Sequence, residues 1–177
     1  MRYVIVDIPD RENFYPFTLT RSLADCRVGI YTFKERWERY LDDKVGVYTA
    51  NYLQDLYPIK NVFETEETLC FINVTCIPNE AVVKQISLLA EGQKLVSETG
   101  KWIATCSKER EIAKILLASY APIDFPNAQF MNDSIHLLQL HTQFIKQDFA
   151  LAIENKKSVD IDATNRVVAP ENIFIEE

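Results

Sequence analysis

Apolar positions recur along this chain with two alternating periods, and the alternation predicts its layout. RYVIVDI (Arg2–Ile8) is a short β-branched run that reads as a buried strand. A polar loop follows, then the stretch YPFTLTRSLADCRVGIYT (Tyr15–Thr32). Thr32 and Glu35 make a capping box for a helix through Leu41, whose inner face carries Phe33, Trp37, Tyr40 and Leu41. That spacing assigns Phe33, Trp37 and Tyr40 to the core. KVGVYT predicts a second strand over Val45–Thr49, and NYLQDLY a short helix stopped by Pro58. TLCFINVTCI predicts the central strand, Leu69–Ile77, with Cys70 and Cys76 on one face.

Pro78 opens the helix NEAVVKQISLLA, and Gly92 marks its end. KLVSETGKWIAT predicts a hairpin turning at Glu98-Thr99-Gly100, and KEREIAKILLASY a further helix. AQFMN reads as a short strand, and SIHLLQLHTQFIKQDFALAIEN as the longest helix, near Ile135–Asn155. In the tail, SVDIDATNRVVAPENIFIEE, short apolar pieces stand between polar turns with no helical period. Strands alternating with helices around one inserted hairpin predict a three-layer α/β domain with a mostly parallel sheet.

Composition narrows the function classes. The 177 residues suit one domain, with 47% apolar and 25% charged residues, which are globular values. A net charge of −7 repels nucleic acid and anionic membrane, so an anion site has to be a local basic pocket. The absence of an apolar run long enough for a leader or a span predicts a soluble, cytoplasmic protein. Cys26, Cys70, Cys76 and Cys106 have neither CxxC spacing nor the density of a disulfide framework, and three of them lie in apolar strand-like runs, where buried free thiols are expected. The acidic group Glu64, Glu66 and Glu67 reads as a solvated turn.

The candidate chemistry gathers in the Tyr15–Thr32 stretch. Arg21 and Arg27 flank Asp25, a pattern that serves either a phosphate site or a structural ion-pair cluster. Asp7 ends the first strand, where α/β proteins place ligands, and is equally a turn aspartate before Pro9. Asn73 is placed either to contact a sugar or base or to satisfy a strand-end backbone group. His136 and His141 stand five apart, on poorly matched helical faces for shared ligation.

The first strand, Arg11, Pro16-Phe17-Thr18, Arg21 and the Ala24–Thr32 run resemble the start of a bacterial group of sugar nucleotidyltransferases related to N-acetylglucosamine-1-phosphate uridyltransferase. The likeness recurs in FINVTCIPNEAVV, in IKQDFALAIENKKS and in TNRVVAPENIFIEE. The resemblance implies a Rossmann-like nucleotidyltransferase domain, here residues 1–158. It also implies a tail, residues 159–177, leading to a left-handed β-helix that this sequence does not contain. The implied substrates are a nucleoside triphosphate and a sugar 1-phosphate, with magnesium as cofactor and oligomerisation through the β-helix.

Carried over position by position, the resemblance implies roles that differ in quality. Arg11 stands for the signature arginine, and Pro16-Phe17-Thr18 for Pro-Leu-Thr. The loop DIPDRENF lacks the family's glycines, and the signature lysine falls on or near Leu23, with Arg21 or Arg27 as its replacement. Asn73-Val74-Thr75 stands where the metal-binding aspartate is expected, and a threonine hydroxyl is a poor magnesium ligand. The family's later Trp-Asp … Asn pattern falls on Ile135-His136 … His141, which puts imidazoles at both hard-oxygen positions. The implied site is therefore Arg11 and Arg21 for catalysis, and Asp7, Thr18, Arg27, Asn73 and Thr75 for binding, with no assigned metal ligand. Two readings follow: a sugar-1-phosphate nucleotidyltransferase, or a binding domain that kept the fold without catalysis.

Overall fold

The computed structural model describes residues 2–8 and 10–176, so the turn expected at Pro9 lies outside the described residues. β1 (Arg2–Val6) forms where three consecutive β-branched residues favour extended backbone. β2 (Val45–Tyr48) and β3 (Leu69–Asn73) flank it, both parallel to it. β4 (Gln93–Val96) and β5 (Trp102–Ser107) form the expected hairpin, with Gly100 at φ 75° in its turn. β5 runs antiparallel to β3, and β6 (Ala121–Asp124) adds parallel to β4. Among the described residues the sheet order is β2-β1-β3-β5-β4-β6, with three parallel pairings and two antiparallel.

Both faces of the central strands are covered, which makes three layers. On one face, Ile5, Cys70 and Ile72 pack with Phe33 and Trp37 of α1 (Phe33–Leu41), Val82 and Ile86 of the helix Glu80–Leu88, and Leu137 and Phe144 of the helix Ser134–Ile153. On the other, Val4, Val6, Leu69 and Phe71 pack with Ile59, Ile112 and Ile115. The helices between α1 and the end are α2 (Asn51–Gln54), α3 (Lys60–Phe63), α4 (Glu80–Leu88), α5 (Ile112–Leu117) and α6 (Ser134–Ile153).

Local signals hold well. Thr32 accepts from the Glu35 amide while the Glu35 side chain accepts from the Thr32 amide, the expected capping box. Four expectations are corrected. β3 stops at Asn73 instead of Ile77, because Asn73 Oδ1 accepts from the Thr75 amide and the Cys76 amide donates to the Asn73 carbonyl. That turn takes the backbone out of the ladder. AQFMN makes one isolated bridge, Cys76 to Phe130, instead of a strand. β6 and α3 are additions: Pro122 argues against a strand, yet it is tolerated because β6 lies at the sheet edge. Tyr40 is only partly buried, unlike Phe33 and Trp37. In the tail, the Val159 amide donates to the Ile175 carbonyl, so its two ends meet.

Candidate functional site

Ligands of α/β domains bind beyond the carboxyl ends of the parallel strands. Here that space is filled by residues 10–25, which form two single-turn 3-10 helices, Asp10–Phe14 and Leu23–Asp25, and the turn between them. Asp7, just past β1, holds the plug in place. Its Oδ2 accepts from Ser22 Oγ at 2.7 Å, Thr49 Oγ1 at 2.9 Å and the Leu23 amide at 3.1 Å. Burial pushes the Asp7 carboxyl above its ordinary value, and these hydrogen bonds, with the nearby Arg11 charge, pull it partly back. Ser22 in turn caps the second 3-10 turn by accepting from the Ala24 amide.

Arg11 and Thr18 clamp the same loop from within. Thr18 Oγ1 donates to the Arg11 carbonyl at 2.7 Å, and Arg11 Nη2 donates to the Thr18 carbonyl and, at 3.2 Å, to the Tyr52 hydroxyl. Both side chains are buried. Arg11 Nε and Nη1 have no hydrogen-bond partner among the described residues. The geometry thus joins Arg11 and Thr18 as a reciprocal backbone brace, with the guanidinium 5.3 Å from the Tyr52 ring centroid.

At the end of β3, Asn73 Nδ2 donates to the Trp102 carbonyl, and its Oδ1 accepts from both the amide and the hydroxyl of Thr75. Thr75 Oγ1 also lies 3.4 Å from Asp10 Oδ2, which pairs with Lys101 Nζ at 3.2 Å. Asp7 Oδ2 is committed to three donors, Asp10 Oδ2 to a lysine and Asn73 Oδ1 to Thr75, whereas Asp7 Oδ1 is buried without a hydrogen-bond partner among the described residues. Octahedral magnesium needs carboxylates open to it. Among the described residues no group of three His, Cys, Asp or Glu side chains converges.

Arg21 and Arg27 lie on the side of this loop that faces α6. A recess of about 460 Å³ is lined by Phe17, Arg21, Arg27, Val28, Leu138 and His141, among others. Arg21 makes no hydrogen bond or ion pair among the described residues. Arg27 is engaged: Nη1 donates to the Ile30 carbonyl, and Nη2 lies 3.7 Å from Glu35. Asp25 does not orient either arginine as expected. It accepts from the Tyr57 hydroxyl at 2.6 Å, while that hydroxyl accepts from the Ser22 amide. His141 Nδ1 accepts from the Gly29 amide at 3.1 Å, which places the proton of the neutral ring on Nε2. His136 lines a different recess, with Asp133 and Gln139.

Two residues that shape this recess escape a reading of the sequence. Arg36 on α1 and Asp148 on α6 form a buried ion pair across 112 positions of chain. Asp148 Oδ2 also accepts from Arg36 Nη2 and from the amides of Ile30 and Tyr31, and Arg36 Nη2 donates to the Val28 carbonyl. Gly29, at φ 82°, turns the chain over this pair. A Cβ there would lie 2.4 Å from Asp148 Oδ2 and 2.8 Å from Phe144 Cβ. The available signal is a charge on an apolar face: Arg36 beside Phe33 and Trp37, and Asp148 one turn after Phe144.

A crystal structure of a glucose-1-phosphate thymidylyltransferase from Bacillus anthracis, in complex with a sucrose, superposes with a TM-score of 0.50 at 9% identity, covering 82% of this chain and 95% of the other. That likeness is one of fold. No curated protein matches the sequence. No described helix is long and apolar enough to cross a membrane. The sequence profile described as sugar nucleotidyl transferase matches residues 3–157, and the chain belongs to that family.

Proposed function

We propose that this chain binds the substrates of sugar nucleotidyl transfer, a nucleoside triphosphate and a sugar 1-phosphate, in the recess between the Tyr15–Arg27 loop and α6. The observation that carries the reading is Arg21, an exposed guanidinium without a partner among the described residues, lining a 460 Å³ recess of a chain with net charge −7. A cation left unpaired on an acidic protein is suited to an anion, and a guanidinium takes phosphate oxygens bidentately. Phe17, Val28 and Leu138 supply apolar wall for a base or sugar ring, and His141 Nε2–H supplies a donor. Asp7, Arg11, Thr18, Asn73 and Thr75 act in this reading as positioning residues that hold the loop bearing Arg21. Arg27 shapes its wall.

Family membership and the thymidylyltransferase-like fold support the chemistry. A sugar phosphate oxygen attacks the α-phosphorus, the bond from α-phosphorus to the bridging oxygen breaks, and pyrophosphate leaves with the electron pair. A second reading, binding without transfer, is favoured by the engagement of Asp7 Oδ2, Asp10 Oδ2 and Asn73 Oδ1 with protein partners in place of a metal.

Titration calorimetry with UTP, dTTP, glucose 1-phosphate and N-acetylglucosamine 1-phosphate, in magnesium, tests the reading on wild type and Arg21→Ala. Saturable binding that Arg21→Ala weakens supports it, and absence of binding to any of the four overturns both readings. Pyrophosphate release in the same mixtures selects transfer. Binding without release selects the second reading.

A further inference from the structure

Two of the four thiols are each other's partners. Cys70 on β3 and Cys106 on β5 stand directly opposite in the antiparallel ladder, and both side chains lie in the core on the α1 face of the sheet. Opposed residues of antiparallel strands have Cα atoms about 4.5–5.5 Å apart, inside the range of about 4.4–6.8 Å that a disulfide spans. The Cys70 thiol donates a hydrogen bond to Cys106 Sγ, which raises the Cys70 thiol above its ordinary value and lowers that of Cys106. The other two thiols are engaged elsewhere: Cys26 Sγ donates to the Ser22 carbonyl and Cys76 Sγ to the Ile77 carbonyl.

We propose that Cys70 and Cys106 are a redox pair, forming a reversible disulfide by exchange with a small-molecule disulfide such as oxidised glutathione. The Cys106 thiolate attacks one sulfur of the small disulfide, a mixed disulfide forms, and the first small thiolate leaves. The Cys70 thiolate then attacks Cys106 Sγ, the mixed bond breaks, and the second small thiolate leaves. The two protein protons end on the two released thiols, so the small disulfide is reduced as the pair is oxidised.

Sheet geometry makes the bond reversible. Opposed Cβ atoms stand about 4.5–5.5 Å apart in a ladder, whereas a relaxed disulfide holds them at about 3.5–4.5 Å. Closing the bond therefore draws β3 and β5 together and strains it, and a strained disulfide is the labile kind that a thiol reopens. Both thiols are fully buried, so exchange is slow and passes through local opening. Tyr3, next to Cys70 in the β1 register and only partly buried, gives that row an edge toward solvent. The link has a structural consequence as well. The β3–β5 pairing joins the β2-β1-β3 part of the sheet to the β5-β4-β6 part, and the bond from Asn73 Nδ2 to the Trp102 carbonyl ties the other end of the same two strands.

The test equilibrates the native full chain, at mildly alkaline pH and without oxygen, in glutathione mixtures from fully reduced to fully oxidised. Samples are acid-quenched, alkylated, digested and mapped by mass spectrometry. The expected product is a single link, Cys70–Cys106, that appears with loss of two hydrogens and follows a two-electron transition across the series. Adding back reduced glutathione should undo it. Cys26 and Cys76 should stay open to alkylation after denaturation at every ratio, and Cys26→Ala/Cys76→Ala should show the midpoint of wild type. Cys106→Ala should give no link within the chain, with circular dichroism confirming its fold. Cys70 and Cys106 reduced at every ratio, arrest at the mixed glutathione disulfide, links to Cys26 or Cys76, or a link that reduced glutathione leaves intact each overturns the proposal.

Discussion

Replacing Asp148 by alanine strikes the contact on which the Val28–Tyr31 turn and the wall of the recess depend. The carboxylate is fully buried and serves Arg36 through both oxygens, as well as the amides of Ile30 and Tyr31. Removing it leaves the Arg36 guanidinium, whose side chain is 3% exposed, as an unpaired buried charge. Breaking such a pair from one side costs about 3–5 kcal/mol. For a chain of this size each kcal/mol moves the melting temperature by about 2–4 °C, so a fall of about 6–20 °C is expected. Urea unfolding followed by circular dichroism at pH 7 gives the same loss as a lower midpoint at unchanged slope. The double variant Arg36→Met/Asp148→Leu removes both charges and should recover part of the loss, because no ion is left stranded. A loss below about 1 kcal/mol for Asp148→Ala would show that the pair is solvated or dispensable, and the account of this turn would fail.

Other consequences follow from the same geometry. Arg21→Ala should lower affinity for a triphosphate or sugar phosphate by about ten- to a hundredfold with little change in melting temperature. Arg11→Ala should instead melt early, because it opens the brace on the Thr18 carbonyl; thermal denaturation beside calorimetry separates the two, and equal melting temperatures would contradict the assignment. Burial raises the Asp7 carboxyl above its ordinary 3.8, so the folded state holds that proton more tightly than the unfolded chain. Stability from this proton is fully present below the unfolded value and is lost as pH rises through the higher folded one. The wild-type stability profile minus that of Asp7→Asn should therefore decline above about pH 4, and a flat difference would count against it. Burial pushes the Cys26 thiol up to about 11 and Cys76 to about 12, and all four cysteines are buried. A thiol-reactive disulfide at mildly alkaline pH should label the native protein slowly and all four thiols after denaturation, with rapid native labelling as the contrary result.

The layered α/β plan, the order of most strands and helices, the Thr32–Glu35 box, the Glu98–Gly100 hairpin turn and the family were all legible in the chain. Each rests on neighbours within a few positions or on a recognisable string of residues, and such signals survive without knowledge of packing. The apolar runs around three of the cysteines also anticipated their burial. The end of β3 was misjudged because apolar Val74–Ile77 continues the strand pattern, while the Asn73–Thr75 hydrogen bonds that end it belong to a turn. β6 was hidden because its proline is acceptable only at an edge, and edges are defined by the whole sheet. The three arginines of the loop look alike in sequence, yet one braces a buried carbonyl, one pairs on the surface and one faces a recess unpaired. Their roles depend on which partners the fold brings within hydrogen-bond reach. Arg36 and Asp148 make the point most sharply: 112 positions apart, each is an ordinary charged helix residue until α1 and α6 pack on the same face of the sheet and exclude water from both.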